Sequence, residues 1–239
     1  MKVVKSQAAL LGALLTSITV AGCNSTGSPA GTVGSIQSSG NPTGGGGASG
    51  GGGASGGRLG GSCKDSSAQC LALKYVVYET EGGAAVVAEA QVASNIAQIN
   101  SIWKACGIQF QIDEFVTVLP RDVGLSSGSG AINELSKIRR TFGNDGTLLV
   151  VTTQNWGTTK NAWTTLPGYA PYGAVLEARV GDYPNIIAHE LGHYLNLDHY
   201  DSGSNVMNTV IGNNSTPLTA GQCREAQSTI SEYWQAMLR

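Results

Sequence analysis

All three histidines of this 239-residue chain fall in one short stretch around a single glutamate: His189-Glu190-Leu191-Gly192-His193-Tyr194-Leu195-Asn196-Leu197-Asp198-His199. Imidazole nitrogens are preferred ligands of a catalytic zinc ion, which takes three protein ligands and keeps a fourth position open. On an α-helix, positions i and i+4 share a face, so His189 and His193 can aim at one ion. Glu190 stands one position round, where its carboxylate reaches a water on that ion without ligating it. His199 could not join them on a straight helix, because six further residues turn about 600° and advance roughly 9 Å. The chain must therefore break between His193 and His199. Asn196 lies midway, and Asn is the non-glycine residue that best tolerates the left-handed conformation that ends helices.

This stretch resembles the metzincin superfamily of zinc proteases, whose motif H-E-x-x-H-x-x-G-x-x-H is followed by a methionine-containing turn. His189, Glu190, His193 and His199 match, and Met207, within Ser204-Asn205-Val206-Met207-Asn208, stands at a suitable distance for that turn. Asn196 replaces the usual glycine. The resemblance implies one Zn2+ held by neutral His189, His193 and His199, with calcium left open. It implies that zinc lowers the pKa of a water and polarises the scissile carbonyl, while Glu190 takes the proton and passes it to the leaving amine. Met207 would form a hydrophobic floor under the metal. Some members use a tyrosine two residues past the methionine; Thr209 stands there, so no tyrosine receives a catalytic role. Tyr200 reads as a pocket wall. Asp198 reads as a solvated loop acid in preference to a brace for a ligand.

The elements that must position these groups follow from periodicity. Residues 71–79 read as a strand, 84–105 as a helix with a small apolar stripe, and 108–118 as a second strand. Residues 132–142 read as a short helix, 147–153 as a buried strand and 172–180 as a further strand. The zinc helix starts at Asp182 or Asn185 and runs to about Leu195. Thr219 followed by Gln222 is a capping-box pattern that opens a helix over 220–237. This order matches the metzincin catalytic domain. The expected fold is therefore α+β, a metzincin-like zincin domain with a mixed twisted sheet, a long zinc-binding helix and a C-terminal helix. By the same analogy, the strand near 173–177 would be the sheet edge above the cleft, where an extended peptide could add its backbone. The loop over 200–214 would shape the pocket just past the cleaved bond. Trp156, Trp163, Tyr169 and Tyr172 read as core or loop packing.

The N-terminal quarter reads differently. Residues 1–22 are a secretory signal: Lys2 and Lys5 precede an apolar run too short to span a bilayer. The run ends in Val20-Ala21-Gly22-Cys23, which resembles the bacterial lipobox and implies cleavage before Cys23 and lipidation of its sulfur. Asn24 after that cysteine suggests the outer membrane where the cell has one. The rest of 23–62 is Gly, Ser, Ala and Thr with few apolar residues. Such a segment cannot offset its ordering entropy and reads as a flexible tether of roughly 30–35 Å root-mean-square length.

Residues 63–239 then form one domain of ordinary size. They carry eleven Lys and Arg against sixteen Asp and Glu, with no basic cluster beyond Arg139-Arg140, which argues against nucleic-acid binding. Cys63, Cys70, Cys106 and Cys223 are an even set in an exported chain and read as two disulfides. Three connectivities are possible; Cys63–Cys70 with Cys106–Cys223 is preferred to Cys63 acting as a zinc-blocking thiol. The function expected is an extracytoplasmic, lipid-anchored zinc endopeptidase, monomeric, acting on protein or peptide, with the membrane reached through Cys23. The alternative is a surface-exposed, zinc-containing binding or adhesion module without proteolytic activity. Structural zinc sites normally close with four protein ligands, and three histidines do not meet that requirement.

Overall fold

The structure is a computed structural model that describes residues 63–158 and 160–239. The signal, Cys23 and the tether lie outside the described residues. The elements are β1 (Gln69–Tyr78), α1 (Glu89–Trp103), β2 (Ile108–Val118), α2 (Ile132–Phe142), β3 (Leu148–Thr152), β4 (Ala162–Thr164), β5 (Ala174–Leu176), α3 (Pro184–Tyr194) and α4 (Ala220–Tyr233). The five strands form one sheet in the order β2-β1-β3-β5-β4. β1, β2, β3 and β5 are parallel, and β4 runs antiparallel to β5.

This topology explains the three layers. From β1 the chain crosses outward to β2, then returns past β1 to β3. Right-handed crossovers travelling in opposite directions put their helices on opposite faces. β1 alternates accordingly. Leu71, Leu73, Tyr75 and Val77 join the core shared with α1 and α3, while Val76 and Tyr78 join the core under α2. β3 divides likewise, with Leu148 and Val150 on the first face and Leu149 and Val151 on the second. A sheet covered on both faces reads as a continuous apolar run, as β3 does in sequence.

Two disulfides, Cys63–Cys70 and Cys106–Cys223, select one of the three connectivities. The second joins the turn after α1 to the first turn of α4 across 117 residues. Closing so long a loop removes about 5 kcal/mol of chain entropy from the unfolded state, against about 2.5 for the first bridge.

Several element boundaries differ from the sequence expectation, and so does the sheet edge. Helix α1 begins five residues late because Val86 donates to the Tyr78 carbonyl at 2.9 Å and Thr80 to that of Ala84 at 2.8 Å. Those bonds hold an extended segment against the end of β1 and override the helix propensity of the alanines. The strand expected over 172–180 shrinks to β5, because the Val180 amide turns back to the Glu177 carbonyl. α4 ends at Tyr233 and a short 3-10 turn, Gln235–Met237, follows it. The largest correction concerns the edge: β5 is interior, and the edge strand is β4, for which no strand was expected. Three residues are too few to show a period.

Candidate metal centre and cleft

Helix α3 begins after Tyr183 with Pro184 in its first turn, a position that needs no amide hydrogen and suits the fixed φ of proline. His189, Glu190 and His193 are all buried on it. At its far end Asn196 has φ 63°. The Leu197 amide donates to the Gly192 carbonyl at 3.0 Å and the Asn196 amide to the His193 carbonyl at 3.1 Å. These two bonds are a Schellman motif. They turn the chain back as the six-residue spacing requires and bring His199 beside the helix.

The three histidines converge. One ligating atom from each lies within 4.8 Å of the others, and the ring centroids are 4.6 to 5.2 Å apart. His189 Nδ1 lies 2.8 Å from the Val206 carbonyl, and His193 Nδ1 lies 2.8 Å from the Leu197 carbonyl. A carbonyl only accepts, so both rings carry their proton on Nδ1. Both Nε2 atoms then present lone pairs, yet they stand 3.1 Å apart. Neither can donate to the other in that tautomer, and what suits such a pair is a shared cation. Two nitrogens each about 2.0–2.1 Å from a tetrahedral zinc would be separated by about this distance. The donor set therefore fits a zinc ion.

Burial reinforces the point. It pushes the pKa of His189 down to about 3, with His193 and His199 also lowered. Neutral imidazoles are the form that ligates.

Glu190 is fully sequestered beside this cluster, and burial raises its pKa to about 7. Its Oε2 accepts from Thr164 Oγ1 at 2.5 Å. Thr164 ends the edge strand β4, so the sheet edge itself orients the carboxylate. Nothing in the local sequence pattern marks Thr164 for this role. Arg139, noted in the sequence only as half of the Arg139-Arg140 pair, is buried on α2 and donates to the carbonyls of Gly173 and Trp163, both at 2.9 Å. It thus pins β5 and β4 in place. Gly173 makes room, since a Cβ there would come within 2.7 Å of Arg139 Cγ.

Met207 is fully buried beneath the histidines' helix. A Cβ at Gly192 would meet its sulfur at 2.3 Å, so the glycine inside the motif is the seat for Met207. The Met207 amide donates to Asn205 Oδ1 at 2.8 Å, and its carbonyl accepts from the Tyr200 amide at 2.7 Å. Asp201 accepts from the Thr209 hydroxyl at 2.6 Å and closes the loop between the third histidine and Met207. Tyr200 is exposed, and among the described residues Asp198 acts only through the charge it lends to His193 and His199.

No protein-family model matches the chain, and no curated protein matches it. Solved structures do. Mirolysin, in complex with compound 9, is 14% identical over 72% of this chain and 96% of that one, with a TM-score of 0.57. The fold is metzincin-like. Metalloproteinase-II from Bacteroides fragilis is 15% identical over 70% of this chain and 54% of that one, with a TM-score of 0.49. This chain thus spans about half the length of the Bacteroides fragilis protein. At these identities the likeness is one of fold, and the chemistry has to be argued from the site.

Proposed function

We propose that the chain is a zinc-dependent endopeptidase. The observation that carries this reading is the pair of Nε2 lone pairs 3.1 Å apart, joined by His199 and flanked by a buried carboxylate. His189, His193 and His199 would hold the ion, which when bound lowers the pKa of a water and polarises the scissile carbonyl. Glu190 would take the proton of the attacking water. Its raised pKa of about 7 suits a group that must accept a proton and then deliver it to the leaving amine near neutral pH. Thr164 holds one carboxylate oxygen and leaves the other for the water. Edge strand β4 would pair with the backbone of an extended substrate and carry it across Glu190.

The cell-envelope part of the proposal rests on sequence alone. The lipobox-like Val20-Ala21-Gly22-Cys23 supports export and lipid anchoring at Cys23, with the glycine-rich segment as the tether. Among the described residues no helix is long and apolar enough to cross a membrane.

The test is zinc content together with cleavage of casein and of a quenched random-peptide library, with and without chelator, beside Glu190→Ala. One zinc per chain is expected, with chelator-sensitive cleavage lost in the variant by roughly 10²-fold or more while its zinc is retained. Full cleavage by Glu190→Ala would overturn the mechanism. One zinc with a fourth protein ligand and no cleavage would return the binding-module reading. Loss of radiolabelled palmitate on Cys23→Ser tests the anchor.

A further inference from the structure

A cavity of about 390 Å³ opens between the start of α3 and the segment that follows Met207. Ile186 in its wall precedes His189 by one helical turn, about 4.5 Å along the axis. Val210 and Ile211 opposite follow Met207 by only a few residues. The cavity is therefore within reach of the side chain that adjoins a bond held at the metal centre.

Its polar wall is unusual for a pocket that would otherwise take an aliphatic side chain. Asn161, Asn185 and Arg179 line it beside Ile186, Val210 and Ile211. Arg179 is anchored from behind. Its Nε is ion-paired to Glu177, and its Nη2 donates to the Thr158 carbonyl at 2.8 Å and to Asn161 Oδ1 at 3.4 Å. Glu177 is completely buried, and its other oxygen accepts from the Trp156 amide at 3.3 Å. The carboxylate is thus committed on the inner side. The Arg179 side chain keeps 53% of its surface exposed, and among the described residues nothing accepts from Nη1. A guanidinium held in a fixed plane, with donors left over, suits a carboxylate far better than a mobile ammonium would.

We infer that this cavity is a specificity pocket for an acidic side chain, glutamate or aspartate, on the residue next to the cleaved bond. Arg179 is its specificity-determining residue and Glu177 the residue that positions it. A lysine or arginine side chain would meet a like charge, and a leucine would cover Arg179 Nη1 without offering it an acceptor. Glu177 behind the guanidinium moderates the field, so the preference is a matter of about tenfold and not of thousands. The inference rests on the endopeptidase reading for which bond is cut, but not for what the pocket binds.

Binding separates the two. Zinc-loaded protein is titrated with peptidyl hydroxamates identical except for Glu, Gln, Leu or Lys at the residue entering the pocket, and dissociation constants are measured by calorimetry. The glutamyl probe is expected to bind about tenfold tighter than the leucyl probe, with lysyl weakest. Arg179→Gln alone strands a buried carboxylate, so the informative variant is Glu177→Gln with Arg179→Gln, which removes both charges; there the glutamyl advantage should vanish. Equal affinities in the wild type, or a glutamyl preference that survives in the double variant, would overturn the inference. A preserved preference in a protein that cleaves no peptide would instead sink the endopeptidase reading and leave the pocket assignment standing.

Discussion

Asn205 and Gln222 exchange two amide hydrogen bonds, Nδ2 to Oε1 at 2.9 Å and Nε2 to Oδ1 at 3.1 Å. Gln222 is also the third helical residue of α4, where its amide donates to Thr219 Oγ1 and its Oε1 accepts from the Thr219 amide. Asn205 Oδ1 in turn receives the Met207 amide. One side-chain pair therefore ties the cap of the last helix to the turn beneath the metal centre. Asn205→Ala should cost about 1–3 kcal/mol by stranding its partners, and it should weaken zinc binding as Met207 loosens. Melting temperature and zinc affinity should fall together; a lower melting temperature with unchanged zinc affinity would show that the tie is only structural.

Asn196 makes a cleaner test of how the third ligand is placed. Its φ of 63° costs a residue with an ordinary Cβ about 1–2 kcal/mol and costs glycine little. Its side chain also donates to Glu225 at 2.7 Å, a bond lost in Asn196→Gly and Asn196→Ala alike. The difference between those two variants thus isolates backbone strain. Asn196→Gly should keep zinc affinity near wild type, and Asn196→Ala should bind zinc less tightly and melt lower. Equal behaviour of the two would mean that the Glu225 bond, and not the left-handed turn, places His199.

Thr164 favours the ionised form of Glu190 by donating to it. Thr164→Val keeps the shape and removes the donor, so the Glu190 pKa should rise. A general base must be deprotonated to act. The acid limb of the kcat/KM profile should therefore move to higher pH, with activity near pH 8 least affected. A limb that stays in place would mean that Glu190 is held by something other than the sheet edge.

Chelated protein should lose stability as the pH falls. His189, His193 and His199 all have lowered pKa values in the fold, so between their unfolded value of about 6.5 and their folded values the unfolded chain binds more protons. Stability is then present above pH 6.5 and is lost on acidification. Glu190 acts in the other direction, because its raised pKa makes the native state the better proton binder between about 4.5 and 7. Three histidines outnumber one glutamate, so the melting temperature of the chelated protein should be lower at pH 5 than at pH 8. An unchanged or higher value at pH 5 would contradict the buried, neutral state of the histidines.

The amino-acid sequence determined what depends on local pattern. His189, Glu190, His193 and His199 were legible because helical geometry and one left-handed residue relate them within a few turns. β2 and α2 were legible from their own periodicity, and the cap of α4 from the pair Thr219 and Gln222. Tertiary structure alone decided which strand forms the sheet edge, since β4 has no period of its own and exists only because β5 offers it hydrogen bonds. It also decided that Thr164, 26 positions before Glu190, would hold that carboxylate, and that Arg179 would be clamped by Glu177 at the wall of a cavity. A threonine in a three-residue strand and an arginine in an irregular segment carry no local signal of such roles. Their chemistry arises from desolvation and fixed orientation, and both come from elements that meet only when the chain is folded.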